Sequence, residues 1–462
     1  MTGALKIAED AFQWASGELP PQCELEIFLS QGRARSVIWS EKKCEDISQA
    51  EGGGLGVRVI LHENGSKQKG GGPASSAGRQ GFAFTTSFFK DSVQKAAGEA
   101  LDSARMLPQD EFRRLPRSLD EAKVSDLFDL TAFSESVTGI QERLKEGEDR
   151  LLKKYPLLRS VLRAAFSEGE SETAIVNSNG IEKSFSGTHS GLGVSCLAEK
   201  DGERQEGGFG LSKRFRKELD WESIFEKASE RTHALLGGHP IPSGSVPVVF
   251  DPSIACEFLS LVGGMVCADS IQKGKSPFKG KLGEEVASKN VSVIDNGALE
   301  KGLASSPVDD EGVATQKTPV IVNGKLAHYL YDTYTALKDG ARSTGNAGRA
   351  GFKSSPQAGT TNFYIDKGGF TRKELLAQTR GLYLYEAMGL HMADPISGDF
   401  SVGAIGAWLE NGEFKSGVRG VTLAGNLLDL LKNIDAVSDD LTFFGSHGSP
   451  TFRVSQLSVS GA

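Results

Sequence analysis

The chain has 462 residues, 38% of them apolar, with a net charge of −8 and a pI near 5.6. That length supports two or three domains with substantial cores. The acidic balance argues against a nucleic-acid surface, which needs a concentrated basic face, and no apolar run reaches the length of a membrane span.

In chain order, Leu5, Ala8, Ala11, Phe12 and Ala15 are spaced for an N-terminal helix over Ala4 to Ala15. Two strands are then expected, with Leu25, Ile27 and Leu29 alternating before Gln31-Gly32, and Val37 and Trp39 after it. Leu55, Val57, Val59 and Leu61 alternate as a half-buried strand. Ser66 to Gly78 is Gly/Ser-rich and reads as a long hairpin tip, returning through a strand at Gly81 to Thr85. Ser87 is placed to cap a helix carrying Phe89, Val93, Ala96, Ala97, Ala100 and Ala104.

Met106 to Ala122, charged and holding Pro108 and Pro116, reads as a linker. Leu130, Phe133, Val137, Ile140 and Leu144 predict an amphipathic helix running toward Tyr155-Pro156. Strands are expected around Val161 to Phe166, Thr173 to Asn177 and Gly191 to Ala198, with Asn179-Gly180 as a turn, and a helix over Trp221 to Leu236. Gly237 to Gly244, punctuated by Gly, Pro and Ser, is the strongest linker. Beyond it Asn323-Gly324 and Asn411-Gly412 signal tight hairpins, helices are expected at Thr333 to Lys338, Arg372 to Thr379 and Leu427 to Ala436, and strands at Thr451 to Val454 and Gln456 to Val459 end the chain. The expected fold class is α+β: an N-terminal α+β domain over 1–110, a middle α+β domain over 117–236 and a β-rich C-terminal domain over 245–462.

Two phosphate-loop look-alikes fail their context. Gly52-Gly53-Gly54-Leu55-Gly56 leads into a strand and not a helix, and Gly274-Lys275-Ser276 has Asp269 where a P-loop needs Gly. Cys23, Cys44, Cys196, Cys256 and Cys267 form no Cys-x-x-Cys and are odd in number, so reduced thiols in a cytoplasmic protein are expected. His233 and His239 lie across a glycine break, while His189, His328 and His447 are isolated. Asp309-Asp310-Glu311 is the one cluster suited to cation binding or proton sharing, and the same residues before Gly312 could equally organise a turn.

Several unusual strings occur in a fixed order between Ser276 and Asn346: Lys281-Leu282-Gly283-Glu284, Ser306-Pro307-Val308-Asp309-Asp310-Glu311-Gly312, Tyr329-Leu330-Tyr331-Asp332 and Ser343-Thr344-Gly345-Asn346-Ala347. This order, with Asp394-Pro395 to Phe400, Thr422 to Leu428 and Gly445 to Thr451, resembles the TldD/PmbA family, once labelled modulators of DNA gyrase. The resemblance implies a zinc peptidase made of two unlike halves. The TldD half is similar to a metal site with a His-Glu-x-x-x-His helix and a Cys near the C-terminus. Here the corresponding helix reads Ile254-Ala255-Cys256-Glu257-Phe258-Leu259-Ser260-Leu261-Val262, no histidine lies between His239 and His328, and Phe444 to Pro450 contains no Cys.

The chain therefore resembles the PmbA half, also called TldE. This implies a subunit with no metal of its own, zinc in a TldD-type partner, and unfolded peptide as substrate. The resemblance also leaves room for a self-sufficient homodimer that binds peptides or proteins without hydrolysing them. A third reading is a metal-independent hydrolase using Asp309, Asp310 or Glu311.

Overall fold

The computed structural model describes residues 3–62, 77–117 and 120–461. The expected hairpin tip at Ser66 to Gly78 lies, apart from its last two residues, outside them, as do residues 118 and 119 of the linker.

The first half of the chain builds one antiparallel sheet. Its strands are β1 (Cys23–Ser40), β2 (Lys43–His62), β3 (Gly78–Thr85), β4 (Leu158–Asn177), β5 (Glu182–Lys200) and β6 (Glu203–Lys213), in the order β3-β2-β1-β4-β5-β6. Four helices cover it: α1 (Ala4–Ser16), α2 (Lys90–Met106), α3 (Val137–Lys154) and α4 (Trp221–Ala234). At one end Ala4, Ala8, Ala11 and Ala15 of α1 meet Val93, Ala97 and Ala100 of α2 over Ile27, Val57 and Val176. At the other end Ile140 and Leu144 of α3 and Ile224 and Phe225 of α4 pack on Val37, Phe166 and Val194. β1 and β4 run through both cores, so the segments 1–110 and 117–236 share a sheet and each contributes to both hydrophobic layers.

The sequence divides β1 and β4 each into two strands, whereas each is continuous. The apparent breaks fall between the two cores. There the sheet trades apolar alternation for ion pairs, Arg33 with Glu170 at 2.8 Å and the buried Arg35 with Glu168. Two helix starts also differ from expectation. α3 begins at Val137, where Ser136 accepts the Gly139 N–H at 3.0 Å, and Phe89 rather than Ser87 occupies the N-cap of α2, without a side-chain cap bond.

The C-terminal half forms a closed barrel. Strands Glu413–Asn426, Asp399–Glu410, Arg380–Met388, Gly244–Phe250 and Phe452–Ser460 lie side by side, and Thr422 to Ala424 pairs with Ser458 to Ser460 to shut the ring. A second sheet, built from short strands between Val293 and Ser449, stands opposite. Helix α5 (Pro252–Val266) sits between barrel and sheet, with Phe258 against Phe250 and Phe400 on one side and Gly263 against Phe363 on the other. Ten of its 15 residues are buried, as expected of a helix that is apolar almost all round. Both Asn-Gly hairpins form with positive φ at each central residue: 47° and 83° at Asn323-Gly324, 51° and 83° at Asn411-Gly412. Among the described residues no helix is long and apolar enough to cross a membrane.

Candidate functional site

The Asp309-Asp310-Glu311 cluster turns inward. Asp309 Oδ1 accepts the N–H groups of Glu311 (3.0 Å) and Val313 (2.9 Å), and its Oδ2 accepts that of Ala347 (3.0 Å). Asp310 Oδ2 accepts the Arg349 N–H at 2.7 Å. Glu311 accepts Arg58 Nη1 at 2.8 Å and the Thr333 N–H at 3.0 Å. Arg58 on β2 and Arg349 also hold the fully buried Glu26 of β1, so the cluster joins the first sheet to the C-terminal half.

Burial and the Glu311 charge push the Asp309 carboxyl well up, and burial pushes Asp310 up to about 6. Burial also opposes ionisation of Glu311, but the Arg58 charge and the hydrogen bonds from Arg58 and Thr333 together outweigh it and hold Glu311 below the ordinary carboxylate value. Asn346 works beside them, donating to Asp295 Oδ2 at 2.8 Å. Gly345 adopts φ 69°, and a Cβ there would lie 2.3 Å from the Ala314 carbonyl. The Ser343 to Ala347 string is thus a folded tether for the acidic turn.

A cleft also opens between the first sheet and the C-terminal half. Two adjoining cavities of about 590 and 540 Å³ share Phe209, Arg231, Tyr385 and Phe444 in their walls. α4 presents Arg231, which pairs with Asp251, donates to Ser253 Oγ at 3.1 Å and stands over the Phe209 and Tyr385 rings at 4.7 and 5.6 Å. Asp251 caps α5 by accepting the Ser253 N–H at 3.0 Å, and takes the Tyr383 hydroxyl at 2.9 Å. Arg372 completes the wall, donating to Tyr383 Oη at 3.0 Å.

Two carboxyls in the cleft are unlike this satisfied wall. Glu257 from α5 and Glu386 from the strand Arg380–Met388 both line the first cavity, and neither side chain makes a hydrogen bond or ion pair among the described residues. Burial raises both above the ordinary carboxylate value. The Glu386 charge adds to the rise at Glu257; at Glu386 the Arg231 charge opposes the rise and Glu206 adds to it.

Two strand edges flank the same space. The strand Arg380–Met388 pairs with Gly244–Phe250 only through Leu382 to Leu384, so from Tyr385 onward its backbone has a partner on one side only. β6 is the last strand of its sheet, and Gly208, Phe209 and Gly210 from it line the cavity. The cleft can therefore offer backbone donors and acceptors to an extended chain, with glycines leaving room for its side chains.

The residues at the position implied for zinc do not fit that ion. Anchored on the one glutamate of α5, the His-Glu-x-x-x-His spacing falls on Cys256-Glu257-x-x-x-Leu261, which replaces one histidine by a thiol and the other by a hydrocarbon. Burial pushes the Cys256 thiol up to about 12, and its sulfur lies against the backbone of Phe444 and Ser449, in the Phe444 to Pro450 stretch that holds no Cys. A cysteine holds zinc as the thiolate, which burial disfavours here. Cys267 donates to the Gly263 carbonyl at 3.2 Å, and burial pushes it too up to about 12. His447 stands edge-on to Phe363, His328 meets the Pro319 carbonyl at 2.8 Å, and His233 that of Ser229 at 2.8 Å. Among the described residues no group of three or more His, Cys, Asp or Glu is arranged to hold a metal.

Family models match most of the chain: PmbA/TldA metallopeptidase domain 1 over residues 25–104, the central domain over 131–236 and the C-terminal domain over 243–461. A protein named as a metalloprotease from Methanocaldococcus jannaschii is 29% identical over 427 residues, covering 90% of this chain and 89% of the relative. The metalloprotease PmbA of Escherichia coli O157:H7 is 26% identical over 421 residues, covering 90% and 87%. The crystal structure of TldE from Thermococcus kodakarensis superposes with a TM-score of 0.86 at 22% identity, covering 98% of this chain and 100% of the other.

Proposed function

The chain belongs to the PmbA/TldD metallopeptidase family, and from that premise we propose that it is the PmbA/TldE-type subunit of a peptidase complex, holding unfolded peptide while a TldD-type partner supplies zinc. The observation that carries this reading is the pairing of an open cleft with a ligand position that cannot serve a metal. α5 and the Phe444–Ser449 hairpin meet where the family resemblance implies the zinc site, but they bring a buried thiol, Leu261 and a stretch without Cys. What remains at the cleft is recognition chemistry. Two free strand edges can pair with main chain, and Phe209, Tyr385 and Phe444 offer apolar surface without a shaped side-chain pocket. Binding of this kind selects extended, unfolded segments over particular sequences.

Glu257 and Glu386 would meet the amides of such a peptide, as carboxyls with no side-chain partner among the described residues. Fluorescence anisotropy with labelled ten-residue peptides tests this. A side-chain-scrambled peptide is expected to bind as well as its parent, and one N-methylated at alternate amides about tenfold more weakly, because each methyl removes a backbone donor. Equal affinity for the methylated and unmethylated peptides would remove the strand-edge reading.

A further inference from the structure

We infer that a separate cavity, sharing no wall with the cleft, is a binding site for a small phosphate-bearing anion. Its volume is about 770 Å³, within the range of small-ligand sites. It lies where three parts of the chain converge: Glu24 and His62 at the ends of β1 and β2, Arg114 to Arg117 with Asp120 from the connector, and residues between Val313 and Ser343. Its walls are apolar, from Leu115, Pro116, Val313 and Ala336, and three arginines, Arg114, Arg117 and Arg342, line it.

Elsewhere Arg33, Arg35, Arg58, Arg231, Arg349 and Arg453 hold carboxylates, whereas these three pair with none among the described residues. Arg114 donates only to the Glu111 carbonyl, at 2.8 Å, and Arg117 and Arg342 are exposed with no side-chain partner among the described residues. The acids of the cavity do not neutralise them. Glu24 is committed to the Leu115 N–H at 2.8 Å, to Asn179 at 3.3 Å and to His62 at 3.6 Å, which leaves Asp120.

Several guanidinium groups around one space suit a tetrahedral oxyanion, whose oxygens can satisfy more than one fork. A lone carboxylate is matched by a single bidentate arginine. The apolar wall has room for an organic group attached to the phosphate. An occupant would also bridge the connector to the C-terminal half beside Thr333, whose N–H already holds Glu311.

Isothermal titration calorimetry on the full chain at low ionic strength, with inorganic phosphate, AMP and succinate, tests the assignment. Saturable binding of inorganic phosphate or AMP is expected, weakened about tenfold or more by the double substitution Arg117→Gln/Arg342→Gln. The melting temperature without ligand should not move, since both side chains are exposed and pair with nothing among the described residues. AMP binding more tightly than phosphate would identify a phosphorylated organic molecule as the occupant, and equal or weaker AMP binding would identify free phosphate. No saturable heat from either probe, succinate binding as tightly as phosphate, or undiminished affinity in the double variant would each overturn the proposal.

Discussion

At the scale of single residues, the buried charges between the first sheet and the C-terminal half are the most sensitive points. Arg58 serves Glu26 and Glu311 together, with 3% of its surface exposed. Arg58→Ala leaves two buried carboxylates short of their cation and is expected to cost about 3–5 kcal/mol in urea denaturation, the penalty for breaking a buried pair from one side. Replacing Asp309, Asp310 and Glu311 together by Asn and Gln should likewise lower stability before it alters any chemistry. Asp295 gives a pH signature. Burial pushes it up to about 6, above its unfolded value, so the native chain binds a proton the unfolded chain has released. Its contribution favours the fold below about pH 4 and is lost as pH rises through about 6. The stability of Asp295→Asn relative to the parent should therefore improve from pH 4 to pH 6, and a difference that stays flat or runs the other way would contradict that environment.

At the scale of elements, close approach decides as much as hydrophobicity. α2 sits so near β3 that a Cβ on Gly81 would lie 1.9 Å from the Ala100 carbonyl. Gly81→Ala is expected to destabilise by about 1–3 kcal/mol through overpacking, read from the shift in denaturation midpoint. Most elements were legible in the sequence because helical spacing and Asn-Gly turns are local signals. The continuity of β1 and β4 was not, because their middle residues trade apolar alternation for cross-strand charges such as Arg35–Glu168. The changed ligand positions on α5 could be read directly as missing histidines. The cleft could not, since Arg231, Glu257, Glu386 and Phe444 come from distant parts of the chain and none belongs to a motif. The acidic turn was visible, but its partner Arg58 lies 253 residues away, so its inward orientation was not.

At the scale of the whole molecule, the first sheet and the barrel enclose one long side of a cleft whose strand edges remain open. A peptide chamber needs a second wall, and the proposed hetero-oligomer with a TldD-type chain provides one, with a homodimer as the form taken when that partner is absent. The account rests on a division of labour in which binding surface is present here and the metal is contributed by the partner. It is tested most directly by purifying this chain alone and co-expressed with a TldD-type partner, then measuring zinc by elemental analysis and hydrolysis of an unstructured peptide on the same samples. The account predicts no stoichiometric zinc and no hydrolysis for the chain alone, and a co-purifying pair that carries zinc and cleaves the peptide. Near-equimolar zinc in the isolated chain, lost together with peptide cleavage when His328 or His447 is replaced, would contradict it.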